Sequence, residues 1–400
     1  MDGSEAPRPV AQAANQVYDG PPDHRMGARH AVYPELTQDE IERFNYLAQV
    51  NRHLQMKVVP LVESTYEARV EPKFGAEHGR KPKDRHDVRK ALLADPVFQT
   101  WSALKRMTME QRQQAGRWAS IRQAESLAAK AGSLVRQGQL TLDPSLKLPR
   151  YVAAVDHHCM PGSYHTELFP GDVSGPANYD CGIHVTVGGR GGPYNDGIGS
   201  QLAAWVQEAF PDFKPRRILD MGTTTAHNLL PVARAFPDAD VIGVDVGAPV
   251  LRYAAARASA LGVDNVRFLQ ADATHLPQFE DGSFDFVMST MFLHELSLAS
   301  MDAIFREAHR LLAPGGLFLN MEQPGYKGMP PFEQAMRDWD AFYNNEPYWT
   351  TLHGLDLDEH LQAAGFKGAN LVYKAFPSAP GAGKARKIGI VFVGARKEAA

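Results

Sequence analysis

The sequence has little cysteine and no long hydrophobic run. Only two of its 400 residues are cysteine, Cys159 and Cys181, which predicts that no disulfide framework supports the fold. No stretch of about 18 apolar residues occurs, so no transmembrane helix is expected. The N-terminal residues lack a basic segment followed by an apolar run, so no secretory signal is expected either. These absences predict a cytoplasmic protein without a membrane span.

An excess of one charge sign is also missing. The chain has 42 Lys and Arg residues against 46 Asp and Glu residues, a net charge of −4. This balance gives no reason to expect a nucleic acid or an anionic membrane as a partner. Because 44% of the residues are hydrophobic, the chain can bury a sizeable core, and its length suggests about two domains.

Glycine is scarce at the turn where nucleotide-binding folds usually concentrate it. The segment Arg217–Met221 is typical of a buried strand, and a second buried strand, Val241–Asp245, ends in an acid. This layout predicts the nucleotide side of a doubly wound α/β fold. The turn reads Asp-x-Gly-x-Thr-x-Ala, not Gly-x-Gly-x-x-Gly, which argues against NAD. An acid at the end of the first strand suits a ligand with a cationic end, such as an amino acid moiety.

The turn resembles motif I of the class I S-adenosylmethionine-dependent methyltransferases, which usually read Asp/Glu-x-Gly-x-Gly-x-Gly. Thr224 and Ala226 stand where that pattern has its second and third glycines, and both are small enough for the loop to keep its path. Asp245, roughly 20 residues further on, is expected to hold the ribose hydroxyls. The segment 268–273 resembles the adenine-contacting segment of the family, with Asp272 facing the amino group and Ala273 giving a backbone N–H.

A fourth similarity lies further along the chain. Residues 289–296, followed by the Leu-Leu-Ala-Pro-Gly-Gly segment 311–316, are similar to the hallmark of the ubiquinone/menaquinone-biosynthesis-like branch of small-molecule methyltransferases. Taken in order, the four similarities imply S-adenosyl-L-methionine as the cofactor. The cofactor-binding residues that they imply are Asp220, Gly222, Thr224, Asp245, Val246, Asp272, Ala273 and Ser289.

The fold class expected is α/β: a Rossmann-like doubly wound sheet with an antiparallel C-terminal strand pair, preceded by a mainly helical N-terminal cap. Two capping-box patterns, beginning at Thr37 and at Thr108, predict two helix starts in the cap. We divide the chain into a disordered arm (1–30), a helical cap domain (31–150), a polar substrate-lining loop region (151–199) and an S-adenosylmethionine-binding methyltransferase domain (200–400). The Pro/Gly-rich segment 377–386 is expected to be a mobile loop.

Three residues are the candidates for catalysis. His294 follows a predicted fourth strand, residues 284–289, at the sheet edge where ligands bind, and would act as a base titrating near ~6.5. A core histidine that only packs and hydrogen-bonds is the alternative. Tyr164 and His165 lie in the His/Cys-rich region 156–184, which matches no strong zinc pattern, so no metal is predicted. His227 and Glu322 are second-rank candidates.

The sequence therefore predicts a methyltransferase acting on a small-molecule acceptor, with a place in secondary metabolism as one setting. The acceptor atom, O, C, N or S, stays open, as does a homo-oligomeric state. Two other functions remain. The replaced glycines leave room for a non-catalytic S-adenosylmethionine-binding module, and a similar fold could serve a nicotinamide-dependent oxidoreductase.

Overall fold

A mixed sheet lies at the centre of the computed structural model, which describes residues 20–378 and 388–399. Within these ranges the sheet has eight strands in the order β1-β4-β3-β2-β5-β6-β8-β7. Their bounds are β1 Leu140–Thr141, β2 Arg217–Met221, β3 Asp240–Asp245, β4 Val266–Gln270, β5 Phe284–Thr290, β6 Leu312–Glu322, β7 Leu371–Pro377 and β8 Ile388–Arg396. The strands from β1 to β6 are parallel, whereas β8 is antiparallel to both β6 and β7. The predicted fold class, with its antiparallel C-terminal pair, is confirmed.

The strand order creates a crevice at one edge of the sheet. From β2 the chain crosses to β3 on one side, and it later returns to β5 on the other side of β2. In open α/β sheets the carboxyl ends of the strands on either side of such a reversal diverge and leave room for a ligand. The carboxyl ends of β2, β3 and β5 therefore mark the place for a binding site.

The part of the chain before β2 is mainly helical. It contains α1 Gln38–His53, α2 Val59–Thr65, α3 Glu71–His78, α4 Arg85–Leu92, α5 Pro96–Ile121, α6 Ala124–Leu134, α7 Arg150–Ala153, α8 Ser174–Thr186 and α9 Gly197–Ala209. Two π-helical segments, Leu54–Val58 and Tyr66–Val70, connect α1 to α2 and α2 to α3. The capping box at Thr37 is confirmed, because its hydroxyl accepts the Glu40 N–H and Glu40 accepts the Thr37 N–H.

The remaining helices alternate with the strands or follow β6. They are α10 Leu229–Ala235, α11 Ala248–Ala260, α12 Leu298–Leu311, α13 Pro331–Arg337, α14 Trp339–Tyr343, α15 Trp349–Gly354 and α16 Leu357–Ala363. Two hydrophobic cores cover opposite faces of the sheet, one with α9 to α11 and one with α12 and α16. No helix in the described ranges is both long and apolar enough to cross a membrane.

The helix expected to begin at Thr108 begins twelve residues earlier, and this prediction is wrong. Asp95 caps α5 by accepting the Val97 N–H, and Pro96 occupies the first turn. The Thr108 hydroxyl donates to the Leu104 carbonyl inside the helix, 2.7 Å away. A threonine that bonds the preceding turn in this way resembles a cap in sequence, although it lies in the middle of a helix.

Two of the expected irregular segments are ordered. Residues 20–30 of the expected disordered arm include a short 3-10 helix, His24–Met26, and the side chains of His24 and His30 are buried; residues 1–19 lie outside the described ranges. The expected loop region 151–199 contains the 13-residue helix α8. Both segments order because they pack against distant parts of the chain, which local composition does not reveal. Most of the expected mobile loop 377–386 lies outside the described residues.

Asp180 of α8 shows how these segments are held. Its buried carboxylate accepts hydrogen bonds from the Tyr253 hydroxyl at 2.8 Å and pairs with His30 Nε2 at 2.9 Å and His227 Nε2 at 2.7 Å. One side chain thus ties the N-terminal segment, α8, the loop after β2 and α11 together. Because burial of an ionised carboxylate is stabilising only when it is fully paired, this cluster makes the cap and the sheet interdependent.

Candidate active site

A cavity of about 940 Å³ lies between the carboxyl edge of the sheet and the N-terminal helices. One wall consists of the loops after β2, β3, β4, β5 and β6. The opposite wall is formed by side chains of α1, α5 and α8, including Asn51, Met109, Arg112, Tyr179 and Ile183. The cavity is therefore lined jointly by the parts that the sequence assigned to the cofactor and to the cap.

The loop after β2 keeps a glycine-like path without the usual glycines. Gly222 has φ +77°, and Thr224 and Ala226 also lie in the left-handed region, at φ +49° and +59°. A Cβ at Gly222 would come within 2.3 Å of the Phe292 ring, so only glycine fits there. The sequence expectation that this loop keeps its path through Thr224 and Ala226 agrees with these angles.

Asp245, at the carboxyl end of β3, lines the cavity beside this loop. Its carboxylate accepts the Thr224 N–H and the Gly247 N–H, each at 2.9 Å. Burial raises the pKa of Asp245, while these backbone N–H groups act against that rise. A carboxylate at this position can accept hydrogen bonds from ribose hydroxyls that enter the cavity.

The other residues of the predicted cofactor site fall into two groups. Gly222, Thr224, Val246 and Ala273 line the cavity with Asp245. Asp220 is buried behind the loop, where one carboxylate oxygen has no hydrogen-bond partner, and burial raises its pKa to about 7. An orphaned acid behind the turn fits a ligand with a cationic amino group. The loop amides, Asp245 and the segment around Ala273 together fit an adenosyl amino acid cofactor.

Besides Asp220, two further members of the predicted set do not line the cavity. Ser289 is fully buried within β5, and its hydroxyl donates to Asn320 Oδ1 at 2.7 Å; its neighbour Thr290 lines the cavity instead. The Asp272 carboxylate accepts the N–H and the hydroxyl of Thr274, two residues on, as in an Asx turn. The Ser289 side chain therefore does not reach the cavity, and its part in cofactor binding stays a prediction.

His294 lines the cavity but is not the free base that the sequence predicted. Its Nδ1 lies 2.9 Å from Glu322 Oε2, and the Trp349 ring packs edge-on against it. Burial alone would lower the pKa of His294. The carboxylates of Glu322, Glu295 and Glu346 outweigh burial and raise that pKa to about 9, above the value on which the sequence prediction of a base rests. At neutral pH His294 is an imidazolium held by Glu322.

Residues from three segments form a buried cluster next to His294, which the sequence pattern did not predict. The Tyr164 hydroxyl donates to Glu295 Oε1 at 3.2 Å, and His157 Nε2 lies 3.1 Å from Glu295 Oε2. His158 lies between Glu295 and Glu346, with Nε2 3.4 Å from the first and Nδ1 in contact with the second. The signal available in the sequence was the His157–His158 pair itself, whose partners could not be identified.

The cluster shares protons between imidazoles and carboxylates. Burial opposes charge on His158, but Glu346 and Glu295 raise its pKa to about 10. Burial, with Glu295 alongside, also raises the pKa of Glu346, so this pair keeps a proton at neutral pH. Ligand atoms of His158, Glu295 and Glu346 lie within 4.8 Å of one another, close enough to hold an ion. The proton on His158 already balances charge there, and the absence of a metal stays a prediction.

The other histidine candidates lie elsewhere. His165 is not part of the cavity wall; burial lowers its pKa, and its Nδ1 has no hydrogen-bond partner. His227 reaches the wall, but both its ring nitrogens are engaged, by the Thr225 hydroxyl and by Asp180. The structure thus brings together His294, Tyr164 and Glu322 and leaves His165 out.

Comparison with known proteins agrees with this geometry. Residues 218–316 match the family model described as "Methyltransferase domain". The chain is 41% identical over 110 residues to the demethylmenaquinone methyltransferase of Thermus thermophilus, covering 28% of this chain and 48% of that protein. It is 27% identical over 185 residues to the malonyl-[acyl-carrier protein] O-methyltransferase of Methylococcus capsulatus, covering 45% and 63%.

An RNA-modifying protein is also among the relatives. The chain is 42% identical over 151 residues to the tRNA (guanine-N(7)-)-methyltransferase of Chloroflexus aggregans, covering 32% of this chain and 66% of that protein. The chain thus spans from about half to two thirds of the length of these relatives. The family model begins in β2 and ends within β6, so the helices α1 to α9 all lie before the residues that it matches.

Proposed function

We propose that residues 218–316 form a class I S-adenosylmethionine-dependent methyltransferase domain and that the whole chain transfers a methyl group to a small-molecule acceptor. The observation that carries this proposal is the single cavity that joins the cofactor loops to the side chains of the helical cap. The domain division 31–150, 151–199 and 200–400 belongs to the same proposal, with the first two parts shaping the acceptor end.

Methyl transfer from a sulfonium is an in-line displacement with a neutral thioether as leaving group. The protein has to align nucleophile, methyl carbon and sulfur and to exclude water, and such alignment can supply about 7–11 kcal/mol of the barrier. The loop after β2 and Asp245 would hold the cofactor. The walls from α1, α5 and α8 would exclude water, because they cover the carboxyl edge of the sheet.

In this proposal the positively charged His294 orients the acceptor, and Glu322 fixes the His294 ring. An imidazolium at the cavity wall favours an acceptor oxygen that is negatively charged when it attacks. The named relatives include a malonyl-[acyl-carrier protein] O-methyltransferase, which is consistent with an oxygen acceptor. Tyr164, whose hydroxyl is bonded to Glu295, would line the acceptor side.

An RNA acceptor is the second candidate, prompted by the relative that acts on tRNA. The cavity favours a small molecule, because α5 and α8 cover the sheet edge that a base in a polynucleotide would have to reach. The net charge of −4 adds no general attraction for phosphates. Turnover assays with RNA and with small carboxylic acids, phenols and quinols as separate acceptors distinguish the two. A complete lack of turnover beside tight cofactor binding would favour the non-catalytic binding module.

The test of the cofactor site is Asp245→Ala, with Asp240→Ala as matched control. Both acids belong to β3, but Asp240 lies at the opposite end, exposed and paired with Arg267. Losing a charged acceptor costs about 1.5–3 kcal/mol. Calorimetry should therefore show S-adenosylhomocysteine affinity falling at least about tenfold in Asp245→Ala and staying within about twofold in the control. Unchanged affinity in a folded Asp245→Ala protein contradicts the proposed site.

A further inference from the structure

Arg112 differs from the other buried arginines of the protein. Three arginines are buried among the described residues: Arg112, Arg257 and Arg337. Arg257 donates to the carbonyls of Ala226 and Tyr194, and Arg337 donates to Glu333, Gln323 and Ile388. Arg112, only 3% exposed, has no hydrogen bond and no ion pair to any described residue, and its Nε is a buried donor without a partner. It lines the cavity.

The position of Arg112 is built by two helices. It projects from α5 across α8 at Gly182, where a Cβ would lie 2.6 Å from Arg112 Nε and 3.1 Å from Nη2. Any larger residue at position 182 would displace the guanidinium. Tyr179 and Ile183 of α8 line the cavity on either side of this crossing. The glycine thus leaves room for a cation that faces the cavity.

The acids near this part of the cavity are already paired. Glu295 is bonded to Tyr164 and faces His157 and His158. Glu346 forms an ion pair with His158 and acts on Arg112 only through space, without a hydrogen bond to it. The carboxylate of Asp180, also on α8, is already bonded to His30, His227 and Tyr253. Burying a guanidinium is costly unless it is paired, and arginine does not lose its proton in proteins. The missing partner is therefore an anion that enters the cavity.

We propose that Arg112 binds a carboxylate group of a ligand in this cavity. A carboxylate matches the planar fork of a guanidinium through two parallel hydrogen bonds. One negative charge balances one guanidinium, whereas a phosphate dianion would call for a second cation. Lys105 of α5 already faces Asp340 at 3.6 Å, and Arg190, the other arginine that lines the cavity, is exposed to solvent. The inference rests on the proposed function, which supplies two sources of a carboxylate: the amino acid end of the cofactor and the acceptor.

The experiment compares Arg112→Gln with wild type by calorimetry, using ligands that differ only in the carboxylate. S-Adenosylhomocysteine is compared with S-adenosyl-3-thiopropylamine, its decarboxylated analogue. Benzoate and decanoate, each against its alcohol, serve as acceptor-type probes in the presence of the cofactor product. The control is Arg117→Gln, which removes a charge from the same helix but does not line the cavity.

If the carboxylate belongs to the cofactor, Arg112→Gln weakens S-adenosylhomocysteine at least tenfold and leaves the decarboxylated analogue within twofold. If it belongs to the acceptor, both adenosyl compounds keep their affinity, and the variant loses the preference for benzoate or decanoate over the alcohols. Arg117→Gln should behave as wild type in both arms. Equal affinities of wild type and Arg112→Gln for every carboxylate ligand would overturn the proposal.

Stability supplies an independent readout. An unpaired buried charge does not stabilise the ligand-free protein, so Arg112→Met should unfold in urea at the same or a higher midpoint. A clear fall of that midpoint would mean that Arg112 is structural, and would also overturn the proposal.

Binding of carboxylate probes through Arg112 in a wild-type protein that binds no adenosyl compound would refute the proposed function while leaving this site standing. Cofactor binding that is independent of Arg112, with no carboxylate preference, would refute the Arg112 site and leave the proposed function standing.

Discussion

At the scale of single residues, surroundings decide what His294 can do. An unperturbed histidine side chain has a pKa of about 6.5. Glu322 at 2.9 Å and the buried Glu295 and Glu346 raise the pKa of His294 to about 9. Burial lowers the pKa of His157 and that of His353, and the charge of His294 lowers both further. A histidine that is already protonated stabilises an anionic acceptor better than it removes a proton.

Replacing His294 by Gln keeps one hydrogen bond to Glu322 but removes the charge. We expect S-adenosylhomocysteine affinity within a few-fold of wild type, and a fall in the methyl-transfer rate on the order of 10²-fold or more. The wild-type rate should decline as pH rises through about 9, where the imidazolium is lost, and this decline should be absent from the variant. Stopped assays from pH 6 to about 10.5 measure both.

Removing one partner of a buried ion pair costs about 3–5 kcal/mol, so the fold of the variant must be checked by circular dichroism. The double variant His294→Gln with Glu322→Gln removes the whole pair and provides a protein without an unpaired charge. A normal rate with an unchanged alkaline limb in either protein would make His294 a structural residue only.

At the scale of elements, the loop after β2 shows a conformation preserved without the residues that favour it. Thr224 has φ +49° and Ala226 has φ +59°, angles that cost an L-amino acid roughly 1–2 kcal/mol each. The loop holds these angles because Thr224 N–H bonds to Asp245 and Gly222 N–H bonds to the Val244 carbonyl. Tertiary contacts thus compensate for local strain, as at many binding sites.

Thr224→Gly should therefore stabilise the protein. The relief of strain exceeds the added entropy of the unfolded chain, for a net gain of about 0.5–1 kcal/mol in the free energy of unfolding. Thr225→Gly is the matched control, because Thr225 has no positive φ and its hydroxyl bonds His227. Urea unfolding should show opposite shifts for the two variants. A loss of stability in Thr224→Gly equal to that of the control would mean that the loop stores no strain.

At the scale of the whole molecule, buried histidines of two kinds set the pH dependence of stability. Burial lowers the pKa of His24 to about 3 and those of His184 and His353 to about 4. Carboxylates raise the pKa of His294 to about 9 and that of His158 to about 10 despite burial. The first kind is neutral in the folded protein at neutral pH, and the second kind is charged.

The free energy of unfolding should therefore be highest near pH 6.5. Below that value these histidines bind protons in the unfolded chain but stay neutral in the folded protein, so the free energy of unfolding falls as pH drops toward 4. Above it the folded protein keeps protons that the unfolded chain loses, so stability falls as pH rises toward 9 and 10.

The pKa of Asp220 is raised to about 7, so its carboxyl stabilises the folded protein as pH falls below 7. The three histidines with lowered pKa values act in the opposite direction and outweigh it. Urea midpoints measured from pH 4 to about 10 test the profile, and His294→Gln should flatten part of its alkaline side. A midpoint that rises steadily from pH 6.5 to 9 would contradict it.

The sequence by itself determined the strands β2, β3 and β5, the C-terminal strand pair β7 and β8, the capping box at Thr37 and the position of Asp245. These features depend on neighbouring residues: runs of buried β-formers, a turn glycine, and an acid at a strand end. The S-adenosylmethionine-binding class followed from the same local motifs, in their order along the chain.

Only the tertiary structure decided the rest. The two-residue strand β1 and the helix α8 are stable because of what packs on them, and local pattern does not signal either. Arg112 meets Gly182, and His158 meets Glu346, across long stretches of sequence. The pKa of His294 depends on Glu322 and Glu346 in the same way. Burial and charge at a site arise from groups that folding brings together, so their effects appear only once the chain has folded.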